Sequence, residues 1–295
     1  MHKGWIQIGF ERDIRAGINR VDLAGEPLLI VKDRQTLRAF DAVCPHRGAH
    51  LAGGSLEEGN CIVCPFHGCR IGLDSPGAEG FMARERPLWV IGGLLFIDLS
   101  KGYDNGFRDF FTAIDATHYI IPGFGMKVRV RPEMVIENAF DQMHFRTVHS
   151  ILNEPRFAVC PSKAGEYRVE SVFDIPPSAW QRGREIKLSV PYRACAFNPH
   201  LVVSELGGAY PYYVITSAVA INKEECMIRL SIAVKPTEDQ APPSMDLYKY
   251  LLDQSKKGLE LDKRIWEEMD PDAIQRFTRE EKAVVGFQQF CKRFV

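Results

Sequence analysis

The chain has 295 residues, 25% of them charged and 45% hydrophobic, with 24 glycines and 18 prolines. This composition excludes a wholly disordered, collagenous or coiled-coil chain, and the length suggests about two domains. Lys and Arg number 37 against 38 Asp and Glu, so the basic excess of a nucleic-acid binder is missing. From the N-terminus, Met1-His2-Lys3-Gly4-Trp5 shows no apolar leader pattern, and the longest apolar piece, 89–97, is about half the roughly 18 residues of a membrane span. A soluble, cytoplasmic protein is expected.

Residues 6–10, 28–32, 37–43, 61–63 and 88–98 read as short strands. Gly25-Glu26-Pro27, Gly53-Gly54, Ser75-Pro76-Gly77 and Gly92-Gly93 punctuate them. Short strands with Gly/Pro turns indicate a small antiparallel sandwich or barrel. Residues 101–106 are the linker candidate, giving expected domains of 1–105 and 106–295. Beyond it, 126–131 is strand-like and 132–149 reads as a helix entered through Pro132. Strand candidates fill 167–234, with a turn at 222–225, and helices are expected over 244–269 and 278–294. Strands followed by helices make the whole an α+β chain.

Eight cysteines in this length are too sparse for a disulfide scaffold, so their spacing is read for metal binding. Cys44-Pro45-His46-Arg47-Gly48 is followed by Cys64-Pro65-Phe66-His67-Gly68, with 17 residues between His46 and Cys64. Each half offers one thiolate and one imidazole from a tight loop. Two Cys and two His suit a tetrahedral zinc site, and equally a Rieske [2Fe–2S] centre with two Cys on one iron and two His on the other. Cys69 adjoins the second loop. Cys160, Cys195, Cys226 and Cys291 are scattered and read as packing side chains.

The second informative stretch runs from Glu137 to His149. At about 100° per residue, Glu137, Asp141 and His144 share one helix face, while His149 lies about 140° round from His144. Both histidines reach one metal only if the helix ends or distorts near Thr147. No Gly-x-Gly-x-x-Gly opens a helix after a strand; Gly123-Phe124-Gly125 lacks the third glycine. No bound nicotinamide or flavin is expected.

The two loops closely resemble the Rieske signature. Followed by Glu137-Asn138-x-x-Asp141-x-x-His144-x4-His149, they resemble the oxygenase component of a Rieske non-haem iron oxygenase. The resemblance implies an N-terminal all-β Rieske domain and a C-terminal helix-grip domain, whose antiparallel sheet wraps a long helix. It implies Cys44, His46, Cys64 and His67 as cluster ligands, and His144 and His149 as ligands of a mononuclear Fe(II). The third ligand comes from a late helix, where Asp262 is chosen over Glu260, Glu267 and Asp270. By the same resemblance, Asp141 links a Rieske histidine to an iron histidine across a subunit boundary, and Asn138 lies near the iron. A separate NAD(P)H-dependent reductase, a ferredoxin where one is used, O2 and a homotrimer are implied. Being short and without an evident partner subunit, the chain resembles the homomeric branch. Hydroxylation or oxidative demethylation of a small apolar substrate is therefore expected ahead of cis-dihydroxylation of an arene. An electron carrier with a non-catalytic binding domain is the reading from another class. Segments 201–203, 210–215 and 228–234 are candidates for the cavity wall, with Phe140, Phe145, Ile151 and Leu152 beside the iron. Lys127, Arg129 and Arg131 alternate along a strand, either as a solvated face or as a carboxylate clamp.

Overall fold

The computed structural model describes residues 4–34, 36–57, 60–99, 103–176, 188–208, 210–270 and 273–294. Of the expected linker, Lys101 and Gly102 lie outside the described residues. Ten short strands make up the N-terminal part: β1 (Trp5–Phe10), β2 (Gly17–Val21), β3 (Leu28–Asp33), β4 (Thr36–Asp41), β5 (Ser55–Glu57), β6 (Cys61–Val63), β7 (Arg70–Gly72), β8 (Glu85–Arg86), β9 (Leu88–Ile91) and β10 (Leu94–Asp98). They form three antiparallel sheets, ordered β2-β3-β4-β8, β1-β10-β9 and β5-β6-β7. The all-β expectation holds.

The rest of the chain comprises α1 (Phe107–Asp115), β11 (Tyr119–Val128), α2 (Pro132–Glu137), α3 (Gln142–Thr147), β12 (Ala158–Cys160), β13 (Tyr167–Ile175), β14 (Leu188–Asn198), β15 (Leu201–Leu206), β16 (Tyr212–Ala220), β17 (Cys226–Val234), α4 (Met245–Trp266) and α5 (Lys282–Cys291). One antiparallel seven-stranded sheet runs β11-β17-β16-β15-β14-β13-β12. Successive strand side chains face opposite ways. Tyr192, Val202, Tyr212, Val214 and Leu230 therefore join the core beneath α4 and α5. Cys195, Phe197, Leu201, Val203 and Ile215 pack instead against Trp5, Phe96 and Phe107. The sheet is thus covered on one face by the N-terminal strands and α1, and on the other by α2 to α5.

That junction is tight. Gly92, at φ +53°, lies where an added Cβ would come within 2.3 Å of the Ile120 Cβ. Asn198 Nδ2 donates to the Trp5 carbonyl at 2.7 Å, and Arg229 Nη1 donates to the Gln7 carbonyl at 3.3 Å.

Two expectations need correction. Residues 132–149 are not one helix: α2 ends at Glu137, a 3-10 turn spans Asn138–Phe140, and Asp141 is extended at φ −88°, ψ 98° before α3 begins. The Asp141 carboxylate accepts from Met143 N–H at 2.9 Å, so Asp141 acts as an N-cap that outweighs helical continuity. Helix α1 follows the linker, where the sequence reading assigned no element, and β11 starts at Tyr119 rather than 126 because it pairs along its length with β17.

Candidate metal centres

The two Cys/His loops are near copies of each other. Cys44 N–H donates to Ala49 O at 2.8 Å and Gly48 N–H to Cys44 O at 2.9 Å; Cys64 N–H to Cys69 O at 2.9 Å and Gly68 N–H to Cys64 O at 3.0 Å repeat the pattern. Gly48 and Gly68 close the loops at φ +79° and +71°, a left-handed conformation that disfavours other residues. Cys44 and Cys64 are buried and hydrogen-bond each other through their thiols. Burial pushes the Cys44 thiol up. Cys64 feels the same burial, yet ends below its ordinary value because the Phe66 and His67 N–H groups and the Cys44 thiol hydrogen-bond it. His46 and His67 are exposed, with ring centroids 4.8 Å apart. Cys69 lies beside them, its Sγ 3.5 Å from His46 Nδ1, as its position in the sequence suggested.

The donor set is therefore split into a buried thiol pair and an exposed imidazole pair. Paired thiols on one side and paired imidazoles on the other suit two irons, one held by each pair.

The second centre gathers residues over a hundred positions apart. The ligand atoms of His144, His149 and Asp262 all lie within 4.8 Å of one another. His149 Nε2 is 3.2 Å from Asp262 Oδ1. The His144 and His149 rings stand 5.0 Å apart, at 81° to each other. No distortion inside the helix is needed: α3 stops at Thr147, and Ser150, at φ +57°, turns the chain back. His144 Nδ1 donates to the Asp141 carbonyl at 2.6 Å, which leaves Nε2 as the lone-pair nitrogen. Burial holds the His144 imidazole below its usual value, although Asp141 pulls the other way. A neutral imidazole is the ligating form.

Asp262 is buried on α4, and Gly258, one turn earlier, lies beside His149, where a Cβ would make an ordinary van der Waals contact with the ring at 3.7 Å. Of its competitors, Glu260 pairs with Lys256 at 3.8 Å, and Glu267 pairs with Lys263 and accepts from Arg129 N–H. The Asp141 carboxylate stays 3.7 Å from His144 Nδ1, so within this chain the acceptor on that ring is the carbonyl rather than the carboxylate. Asn138 borders the trio, and its amide has no hydrogen-bond partner among the described residues. Two histidines and the Asp262 carboxylate thus surround one point, with the Asp141 carboxylate outside it.

The trio closes one end of a cavity of about 290 Å³ between α4 and the sheet, lined by Phe145, Phe173, Val202, Val214 and Leu230. Val202 and Leu230 fall in segments expected to form its wall. Phe140 is fully buried core and Leu152 is exposed, so neither lines it. Lys127, Arg129 and Arg131 face solvent. The sequence reading missed Tyr192, Phe173 and Trp266, whose aromatic character alone does not separate lining from core. On the trio's other side lies a groove of about 430 Å³, where Glu137, Asp141, Arg276 and Glu281 stand among apolar Met134, Ile265, Met269 and Phe277.

Residues 4–81 match the Rieske [2Fe-2S] domain, and residues 104–283, more than half the chain, match the 3-ketosteroid 9alpha-hydroxylase C-terminal domain. The chain belongs to the Rieske non-haem iron oxygenases. Its cofactors are accordingly a Rieske cluster and a mononuclear non-haem iron, for which the two donor sets above are suited. Solved structures of the same fold include Pseudomonas putida CBB5 NdmB (18% identity, TM-score 0.73, covering 98% of this chain and 89% of that one). Another is apo dicamba monooxygenase (15% identity, TM-score 0.73, covering 99% and 96%). Among curated Rieske relatives, the probable 3-ketosteroid-9-alpha-monooxygenase oxygenase component of Rhodococcus rhodochrous is 39% identical over 87 residues, 29% of this chain and 22% of that protein. The cholesterol 7-desaturase nvd of Bombyx mori is 39% identical over 66 residues, 22% of this chain. That alignment spans only 15% of the Bombyx protein's length. Among the described residues, no helix is long and apolar enough to cross a membrane.

Proposed function

We propose that this chain is the terminal oxygenase of a multi-component system, using O2 and electrons from a separate NAD(P)H-dependent reductase, with a ferredoxin where one is used. It hydroxylates or oxidatively demethylates a small, largely apolar molecule. The reading assigns Cys44, His46, Cys64 and His67 to the cluster and His144, His149 and Asp262 to the iron, in a cytoplasmic homotrimer. A ferrous ion held by two His and one carboxylate keeps open positions for oxygen, and the Rieske cluster supplies electrons one at a time.

The chain's own side chains divide the remaining work. Exposed His46 and His67 present the cluster's imidazole edge to a partner, while the buried thiols exclude water from its other half. The Asp141 carbonyl fixes the His144 tautomer. The apolar wall keeps water from the reacting carbon and orients it toward the trio. Asn138 offers an unengaged amide at the mouth between cavity and groove.

One observation carries the reading: a facial trio of two His and one carboxylate closes the end of an apolar cavity in a chain that also has the paired loops. An electron carrier has no use for such a trio. Metal and labile-sulfide analysis of iron-reconstituted protein should give about three irons and two sulfides per chain. His144→Ala should keep the cluster's visible spectrum and lose the third iron together with substrate-dependent O2 uptake. Full turnover in that variant would remove the assignment.

A further inference from the structure

The junction between the N-terminal strands and the seven-stranded sheet encloses a polar spot. Among the described residues, five buried side-chain nitrogen and oxygen atoms have no hydrogen-bond partner, and four of them belong to this spot: Nε2 and Oε1 of Gln7 and the hydroxyls of Ser217 and Ser231. All three side chains are fully buried. Buried polar groups in folded proteins are nearly always paired, so four orphans on one patch point to a ligand that takes their bonds.

Strand register brings the groups together. Ser217 on β16 stands directly opposite Arg229 on β17, and Ser231 is the next residue of β17 on the same face. Opposite residues lie about 5 Å apart and alternate ones about 7 Å. This is the face that meets the N-terminal strands, since Ile215 and Ala233 continue it into the core around Trp5 and Phe96. Strand β1 crosses it, held where Arg229 Nη1 donates to the Gln7 carbonyl. Within β1, Gln7 projects to the same side as Trp5, while Ile6 and Ile8 fill a different core.

Arg229 brings a positive charge to the spot. It is half-buried, which leaves a way in from solvent. Among the described residues, no carboxylate pairs with it. Burial pulls its guanidinium down to about 10, although Asp13 and Asp22 pull the other way from a distance. A guanidinium has five N–H donors and no acceptor, and the Gln7 carbonyl takes one of them. The Gln7 amide N–H group and two serine O–H groups complete a donor-rich, cationic set. Water would satisfy the dipoles but leave the charge unbalanced, whereas a small anion satisfies both.

We infer that Gln7, Ser217, Ser231 and Arg229 form a binding site for one small monovalent anion of halide size, which ties β1 to β16 and β17 and so fastens the two parts of the chain to each other. The two hydroxyls and the Gln7 amide donate to the ion, and the guanidinium balances its charge. The site is independent of the oxygenase reading. It is tested on the cluster- and iron-loaded protein at fixed ionic strength, with chloride exchanged for gluconate, which is too large for an enclosed site. At about 0.2 M, chloride should raise Tm by about 2–4 °C over gluconate, with a response that saturates. Ser217→Ala and Ser231→Ala should each cut that shift by more than half, and Gln7→Leu should abolish it, all three with the parent's cluster spectrum. Line broadening of 35Cl, which needs no unfolding, should appear with the parent protein, be displaced by bromide and be lost in Ser231→Ala. A Tm that follows ionic strength alone would leave the four groups to water and overturn the inference. So would a chloride shift or line broadening that survives in all three variants, because the ion would then sit elsewhere.

Discussion

Glu137 is a carboxyl set against its own charge. Burial pushes it from 4.5 up to about 7, Asp141 and Glu281 add to the rise, and a 2.8 Å hydrogen bond from Gln288 together with Arg131 opposes it. A carboxyl whose folded value exceeds its unfolded one binds its proton more tightly in the native state. Its contribution to stability is therefore complete below about 4.5 and is lost as the pH rises through about 7. Glu137→Gln should remove that step: between about pH 5 and pH 8 the parent's Tm should fall by more than the variant's. Parallel Tm profiles would mean that the carboxyl is solvated. In the sequence Glu137 was only one polar residue of a supposed helix face. Its environment is made by α5, about 150 residues away, so no local pattern could reveal it.

Local patterns were most reliable where one short element does the whole job. The paired Cys/His loops are such a case, because each loop carries its own Cys and His, turn glycine and backbone bonds within a few residues. The stretch from Glu137 to His149 was harder. Its 3.6-residue rhythm is real on both sides of Asp141, but the break there depends on a cap and on tertiary anchoring that rhythm does not encode. Phe140, just before the break, is fully buried and stacks on Phe287 with centroids 4.8 Å apart. Helix α5 thus pins the 3-10 turn that carries Asn138 and leads into α3. Phe287→Ala should cost about 3–5 kcal/mol in chemical denaturation, the usual range for removing a buried aromatic ring. It should also reduce mononuclear iron occupancy while leaving the cluster spectrum intact, since Cys44 and Cys64 belong to a different core. Equal loss of both metal centres would show general unfolding instead of a local anchor.

At the scale of the whole molecule, the two-part α+β order and the all-β start were legible from turn spacing. The junction was not, since it consists of close approaches such as Gly92 on Ile120 and of buried bonds such as Asn198 to Trp5. The functional layout has the same character. The imidazole edge formed by His46 and His67 is exposed, with Phe66 beside it 60% accessible, and the trio of His144, His149 and Asp262 opens on a groove where Asp141 and Glu137 stand among apolar side chains. An exposed donor edge and an open acceptor groove suit heterologous, head-to-tail contacts that close into a ring. Should each groove of such a ring receive the neighbour's His46 and His67, two individually dead chains complement each other. Cys64→Ala lacks the cluster and Asp262→Ala lacks the iron, and each alone should show no substrate-coupled O2 uptake. After dissociation and reassembly in equal amounts, an iron-bearing subunit has a cluster-bearing donor neighbour in about half of cases, and half of the subunits bear iron. About a quarter of parental activity should therefore return. Transfer confined within each chain predicts none, because no single chain in the mixture holds both centres.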